Sequence, residues 1–170
     1  MVDKVYGAGR KARLATLVEL YPETISADNF SSHVTAAENA DVAFSTWGMP
    51  QFSSQQLDRM GKLKVLFYAA GSVRGFASAY LERGIKVVSA WGANAVPVAE
   101  FTLAQILLST KGYFRNVREC RTAEIHHRGN AFRGNGNFGE RIALIGAGMI
   151  GRKVIELLKP FVLEVVVVDP

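Results

Sequence analysis

Residues 142–151 read IALIGAGMIG, an apolar run that leads into three glycines at the spacing GxGxxG. Each glycine of such a run has its own task. Gly146 allows a tight turn out of a strand, Gly148 lets a ligand approach the backbone closely, and Gly151 lets the following helix pack against that strand. A glycine-rich turn alone is a weak signal, so its meaning depends on the sequence that follows it.

The segment after the glycines completes a β-α-β unit. A helix is predicted over residues 149–159, and its unpaired N–H groups and positive dipole end face the turn, where a pyrophosphate binds. Met149 and Ile150 lie in the first turn of this helix and are predicted to contact the ligand together with the three glycines. A second strand is predicted over residues 162–168. The pattern predicts the opening unit of a Rossmann domain that binds a dinucleotide.

Asp169 follows the second strand directly and lies eighteen residues after Gly151. An acidic side chain at this point accepts hydrogen bonds from the adenosine ribose, and its charge repels the 2′-phosphate of NADP, so the cofactor predicted is NAD. Two alternatives stay open: a tight turn with an unrelated surface aspartate, and the FAD variant of the site. The FAD variant usually lies near the N-terminus, whereas most of this chain precedes the motif.

The first half of the chain alternates helices with short apolar strands. Helices are predicted over residues 10–21, 31–40, 54–60 and 76–83, and strands over residues 42–44, 63–68 and 85–89. Ser53 and Gln56 are spaced as a capping box for the third of these helices. This alternation predicts a parallel sheet with helices on both faces, whose ligand-binding loops begin at Trp47, Ala69 and Ala90.

A long apolar helix is predicted between the two halves, with Pro97 in its first turn and an end near Val117. A helix that is apolar almost all round is buried between layers or domains, so we expect a domain boundary near Ala93. Most α/β domains begin with a strand, but here only the apolar pair Val5 and Tyr6 lies before the first predicted helix. At the other end, the chain stops just after a strand. From these two ends we expect a fragment that lacks a first strand and most of a second domain.

Composition excludes several other classes of protein. The 170 residues carry a net charge of +5, but the densest basic cluster is interleaved with glutamates, which is typical of a solvated surface rather than of a nucleic-acid interface. The excess positive charge suits an anionic ligand. The single cysteine, Cys120, excludes an intrachain disulfide. No apolar run predicts a membrane span or a signal peptide, so the expected location is the cytoplasm.

Residues 40–170 resemble the D-isomer-specific 2-hydroxyacid dehydrogenases. Three blocks carry the resemblance through their order and spacing: residues 63–75, residues 83–102 and the glycine motif. The resemblance implies a flavodoxin-like substrate domain whose N-terminal part is residues 1–93. It implies that residues 94–170 form the interdomain helix and the first β-α-β of a Rossmann NAD-binding domain. The implied reaction is hydride transfer between NAD and a small D-2-hydroxy or 2-oxo acid, bound in the cleft between domains.

The resemblance also implies substrate contacts. The backbone amides of Gly71, Ser72 and Val73 match the loop that holds the substrate carboxylate in the family. This chain departs from the family because Arg74 stands where an aspartate is usual and the loop is one residue shorter. The alternative is a simple strand-to-helix turn. Asn94 matches a substrate-side amide of formate dehydrogenases, or else it is an ordinary helix-entry residue.

Val98 and Thr102 match positions on the nicotinamide side of the family's interdomain helix, with ordinary helix packing as the alternative. Glu100 belongs to the family's Val-Ala-Glu signature and is not its catalytic acid. No position matches the family's catalytic Arg, Glu and His, and His33, His126 and His127 lie outside its motifs. We therefore expect no catalytic residue and no metal site in this chain.

Two other functions remain open: a non-enzymatic NAD-sensing protein related to corepressors, and a stand-alone interaction module. The expected partners are the acid substrate and further copies of the chain, with no nucleic acid and no membrane. Homo-oligomers are expected because an incomplete α/β sheet exposes strand edges, which another copy can cover by exchanging elements.

Overall fold

A computed structural model describes residues 2–122 and 134–169, which form parts of two compact units, Met1–Trp91 and Gly92–Pro170. His126 and His127 lie outside the described residues. Among the described residues, no helix has the length and apolarity needed to span a bilayer.

The first unit is built on a three-stranded parallel sheet. Its strands are β1 (Val42–Ser45), β2 (Val65–Tyr68) and β3 (Lys86–Ser89), in the order β1-β2-β3. Val65 of the central strand lies opposite Val42 on one side and Lys86 on the other. Because all three strands run in one direction, the loops that follow them emerge at the same edge of the sheet, as the sequence predicted.

The helices of the first unit are α1 (Val2–Tyr6), α2 (Arg10–Ala15), α3 (Val34–Asn39), α4 (Ser54–Arg59) and α5 (Ala77–Leu81), with a 3₁₀ helix at Phe30–His33. The predicted capping box is confirmed, since Ser53 Oγ accepts from the Gln56 N–H at 3.2 Å and Gln56 Oε1 accepts from the Ser53 N–H at 2.9 Å. Side chains from the 3₁₀ helix, α3, α4, α5 and the sheet form one core, whose most buried members include Phe30, Leu57, Leu66, Tyr80 and Ile85.

The N-terminal helix prediction was wrong in length. The prediction ran from residue 10 to residue 21, but α2 ends at Ala15, and Val5 and Tyr6 belong to a separate helix, α1. Two of the apolar side chains that suggested the longer helix are not buried, since Leu17 is 73% exposed and Tyr21 is 44% exposed. An amphipathic pattern extends a helix only where its apolar face is buried.

The second unit contains the rest of α6 (Trp91–Thr110), then α7 (Tyr113–Glu119), β4 (Glu140–Ile145), α8 (Met149–Leu158) and β5 (Leu163–Val168). β4 and β5 are parallel and pair from Glu140 opposite Leu163 to Ile145 opposite Val168. The core of this unit is formed where α6 and α8 cover one face of this sheet, around Ala99, Val154 and Leu158. The connection β4-α8-β5 is the predicted β-α-β unit.

The long helix differs from its prediction at both ends. It begins at Trp91, so Pro97 lies inside the helix rather than in its first turn. It ends at Thr110, and Gly112, with φ of +73°, is the N-cap of the separate helix α7. It is also not buried all round within its unit, since Ala99 is completely buried while Phe101 is 65% exposed.

Candidate functional site

The glycine turn leaves β4 through a conformation that only glycine adopts readily. Gly146 has φ of +95°, in the left-handed region, and its N–H donates to the Val168 carbonyl oxygen at 2.8 Å. This hydrogen bond ties the turn after β4 to the end of β5. Asp169, which is exposed, follows Val168 directly. The structure therefore brings the glycine motif and the predicted ribose-binding aspartate to the same edge of the sheet.

The other two glycines serve different purposes. A Cβ built on Gly151 would fall on the carbonyl oxygen of Gly146 and within 3.0 Å of Leu144 Cδ2, so packing of α8 on β4 requires glycine there. A Cβ built on Gly148 would meet no atom of the described residues within 4 Å, and the φ of Gly148 is an ordinary −65°. The protein itself does not require glycine at position 148. A ligand that approaches the backbone at this point does require it, so the residues fit a bound pyrophosphate.

The first turn of α8 offers hydrogen-bond donors beside this open space. The N–H groups of Gly148, Met149 and Ile150 donate to no acceptor in the part of the chain that is described. Both side chains, Met149 and Ile150, are partly exposed at 38% and 40%. Free N–H groups at the start of a ten-residue helix attract an anion. The guanidinium of Arg152, which sequence reasoning missed, donates through Nε to the Ala147 carbonyl at 2.8 Å and adds a positive charge to the turn.

Three predicted site residues lie on α6. A Cβ on Gly92 would be 3.4 Å from Met149 Sδ, so the start of α6 lies beside the start of α8 in the second unit. Asn94 lies inside the helix rather than at its entry, and its amide hydrogen-bonds to nothing within residues 2–122 and 134–169. Val98 is 38% exposed, and its carbonyl accepts from Thr102 Oγ1 at 2.8 Å. Both Val98 and Thr102 lie outside the buried core of this unit.

The loop after β2, in the first unit, presents another set of free donors. The N–H groups of Gly71, Ser72 and Val73 donate to no acceptor among the residues that the structure describes. Consecutive free amides suit an anion such as a carboxylate. The backbone N–H of Arg74 lies 3.4 Å from Ser72 Oγ, and the Arg74 side chain is exposed.

Two hydroxyl groups that were not predicted from the sequence donate hydrogen bonds to carbonyl groups of this loop. Thr46, which follows β1 and is 1% exposed, donates to the Ala69 carbonyl at 3.1 Å. Ser89, the last residue of β3, donates to the Gly71 carbonyl at 2.8 Å. Their position at the carboxyl ends of predicted strands was the only signal available in the sequence.

Two residues were set aside as unrelated to the site, His33 and Glu100. His33 is 2.9 Å from the Tyr21 hydroxyl and 3.5 Å from the Glu23 carboxylate, on the surface of the first unit. Glu100 is exposed on α6.

The C-terminal part of the sequence matches a known family of NAD-binding domains. Residues 103–170 match the sequence model described as "D-isomer specific 2-hydroxyacid dehydrogenase, NAD binding domain". This segment is similar to the NAD-binding domain of that dehydrogenase family. The matched segment contains α8, the glycine turn and Asp169, whereas the predicted site residues on α6 and in the loop after β2 lie outside it.

Individual relatives of this dehydrogenase family extend the match toward the N-terminus. The formate dehydrogenase of Arabidopsis thaliana, named chloroplastic/mitochondrial, is 30% identical over 110 residues, which are 64% of this chain and 29% of that protein. The D-3-phosphoglycerate dehydrogenase of Methanocaldococcus jannaschii is 29% identical over 115 residues, which are 67% of this chain and 22% of that protein.

A solved structure confirms the α/β fold. The NAD-dependent formate dehydrogenase of Staphylococcus aureus, in complex with NAD, superposes with a TM-score of 0.69 at 24% sequence identity. The alignment covers 95% of this chain and 50% of that one. The chain thus spans about half the length of this structure and less than a third of the two curated relatives.

Proposed function

We propose that this chain is the cofactor-binding and part of the substrate-binding portion of an NAD-dependent dehydrogenase. The reaction is the oxidation of a small D-2-hydroxy acid to its 2-oxo acid, or the reverse. The observation that carries the proposal is the space at Gly148, which no atom of residues 2–122 and 134–169 fills, at the same sheet edge as Asp169. The family match and the Rossmann-type unit support it.

The cofactor site would be formed by the second unit. The N–H groups of Gly148, Met149 and Ile150 would hold the pyrophosphate, on a turn shaped by Gly146 and Gly151. Asp169 would accept hydrogen bonds from the adenosine ribose. Val98 and Thr102 on α6 would contact the nicotinamide side. When bound, NAD supplies the hydride acceptor, and the protein binds and orients it.

The substrate carboxylate would bind to the backbone of the first unit. The free N–H groups of Gly71, Ser72 and Val73 supply donors without a fixed counter-charge, and the small residues allow close approach. Asn94 would donate to a carboxylate or carbonyl oxygen of the acid through its side-chain amide, which has no hydrogen bond within residues 2–122 and 134–169.

We propose that the 170-residue chain does not turn over substrate by itself, because no residue in it matches the family's catalytic Arg, Glu and His. The test compares purified chain with the product of the complete gene, using NADH and a panel of 2-oxo acids. We expect turnover from the complete product and none above background from the chain. Turnover by the chain contradicts this part of the proposal. A complete product that binds NADH but reduces no 2-oxo acid favours an NAD-sensing binding protein instead.

NAD binding by the chain is tested separately, by titrating it with NADH and recording the cofactor fluorescence. We expect weak binding at most, and Gly148→Ala should weaken it further by tenfold or more. Stoichiometric binding counts against a stand-alone interaction module, and binding that Gly148→Ala leaves unchanged overturns the proposed pyrophosphate site.

We also propose that the chain forms homo-oligomers and lies in the cytoplasm. Support for self-association comes from the second face of the β4–β5 sheet, where Ile145 is 86% exposed and Val168 is 58% exposed. Light scattering over a concentration series tests this, and a monomer at every concentration contradicts it.

Imaging of a tagged gene product tests the location, which matters because the Arabidopsis thaliana relative is named for organelles.

A further inference from the structure

Side chains from both neighbouring strands contact carbonyl groups of the loop after β2, and those on the β3 side belong to the peptides of the free Gly71 and Ser72 N–H groups. On the β1 side, Thr46 Oγ1 donates to the Ala69 carbonyl at 3.1 Å. On the β3 side, Ser89 Oγ donates to the Gly71 carbonyl at 2.8 Å and lies 3.4 Å from the Ala70 carbonyl. The same Ser89 oxygen accepts from the Trp91 N–H at 3.1 Å, so its own position is fixed by the start of α6.

The planarity of the peptide bond connects these contacts to the free donors. In a trans peptide, the carbonyl of one residue and the N–H of the next point in opposite directions. Holding the Ala70 carbonyl therefore fixes the direction of the Gly71 N–H, and holding the Gly71 carbonyl fixes that of the Ser72 N–H. Both carbonyls lie near one oxygen, Ser89 Oγ, so both N–H groups point away from Ser89.

We propose that Ser89 is a positioning residue that orients the Gly71 and Ser72 N–H groups toward a substrate carboxylate. This inference rests on the proposed function, in which the loop binds that carboxylate. Glycine at position 71 makes the restraint necessary, because a glycine rotates its neighbouring peptides at little steric cost. Without the hydroxyl, the peptide between Gly71 and Ser72 is free to rotate. The Gly71 carbonyl oxygen, which repels an anion, then faces the carboxylate in place of the Ser72 N–H, which attracts it.

The test measures carboxylate binding to the chain itself by nuclear magnetic resonance, with ¹⁵N-labelled protein titrated with glyoxylate at constant ionic strength. The variants are Ser89→Ala, Ser89→Thr and, as a matched control, Ser78→Ala, which removes an exposed hydroxyl from α5. In the native chain we expect glyoxylate to shift the amide signals of Gly71, Ser72 and Val73.

Ser89→Ala is expected to weaken glyoxylate binding about five- to tenfold, the loss that follows from one hydrogen bond. It should also reduce the shift of the Gly71 and Ser72 signals more than that of Val73, which a general loss of stability does not predict. Ser89→Thr keeps the hydroxyl and should bind as the native chain does, and Ser78→Ala should bind unchanged.

The outcomes separate this inference from the proposed function. If glyoxylate shifts no loop amide in the native chain, the proposed substrate loop is wrong and this inference fails with it. If the native chain binds and Ser89→Ala binds equally well, the inference alone is overturned. If Ser89→Ala does not fold, Ser89→Cys replaces it. The thiol is a weaker donor, so intermediate affinity supports the inference and native affinity overturns it.

Discussion

The N–H of Gly146 donates to the carbonyl oxygen of Val168 at 2.8 Å. This single bond continues the pairing of β4 with β5 by one step beyond the last ladder pair, Ile145 opposite Val168. As a result, the glycine turn and Asp169 emerge together from the carboxyl edge of the sheet. The groups that we propose for binding the pyrophosphate and the adenosine ribose thus lie at adjacent strand ends.

Two alanine substitutions should separate cofactor binding from folding. Gly148→Ala places a methyl group in open space, so we expect an unchanged Tm and a loss of NADH binding of tenfold or more, about 1.4 kcal/mol. Gly151→Ala places its methyl group on the Gly146 carbonyl, so we expect a lower Tm. Thermal unfolding and NADH titration on both variants check this. A stable Gly151→Ala, or a Gly148→Ala that binds normally, contradicts the assignment.

Asp169→Asn should weaken NAD binding and reduce the preference for NAD over NADP. The charged acceptor for the ribose hydroxyls is replaced by a neutral amide, which costs about 1–2 kcal/mol, or roughly five- to thirtyfold in affinity. The repulsion of a 2′-phosphate disappears as well. Glu164→Gln is the control, since it removes an exposed carboxylate from β5 that pairs with Arg141 at 2.9 Å. Titrations with NADH and NADPH give the ratio, and an equal effect of both variants rejects the specific role of Asp169.

Ser53→Ala should lower the free energy of unfolding of the first unit by about 1 kcal/mol, because it removes the acceptor of the Gln56 N–H at the start of α4. Urea unfolding followed by the fluorescence of Trp47 and Trp91, both in this unit, measures the change. Ser54→Ala, one residue later, removes a hydroxyl that does not cap the helix. Equal effects of the two substitutions argue against the capping box as a source of stability.

The stability of the first unit should fall between pH 10 and pH 12. Burial raises the pKa of Tyr80 from 10.0 to about 12, and the side chain is 4% exposed. Below pH 10 both folded and unfolded chains keep the phenol proton. Between the two pKa values the unfolded chain loses its proton while the folded chain keeps it, so the free energy of unfolding decreases by up to about 2–3 kcal/mol.

Tyr80→Phe removes this titration, so urea unfolding of the variant should depend less on pH in that range. Tyr113→Phe is the control for the substitution itself, because Tyr113 is 49% exposed and lies in the second unit, outside the core that contains Tyr80. A Tyr80→Phe variant with the same alkaline loss of stability as the native chain shows that the buried phenol is not its cause.

Local patterns predicted the elements whose stability is local. The capping box at Ser53 and Gln56 was visible as a spacing of three, and the structure has it because both hydrogen bonds close within one turn. The start of the long helix was not predictable in this way. α6 begins at Trp91 because the Trp91 N–H finds an acceptor in Ser89 Oγ, which is itself held by the Gly71 carbonyl eighteen residues away in sequence.

The sequence by itself predicted the β-α-β unit and the residues that we propose for the cofactor site. The reason is that a glycine turn, the helix after it and the acid that ends the next strand act over a short stretch of chain. Only the tertiary structure decided which of these groups remain free to bind a ligand. Gly148 could be separated from Gly151 only once the atoms around each were known, because one glycine is required by packing within the protein and the other is not. Two hydrogen bonds likewise depend on strands that meet only in the folded chain. They are the bond from the Gly146 N–H to the Val168 carbonyl and the bond from the Ser89 hydroxyl to the Gly71 carbonyl.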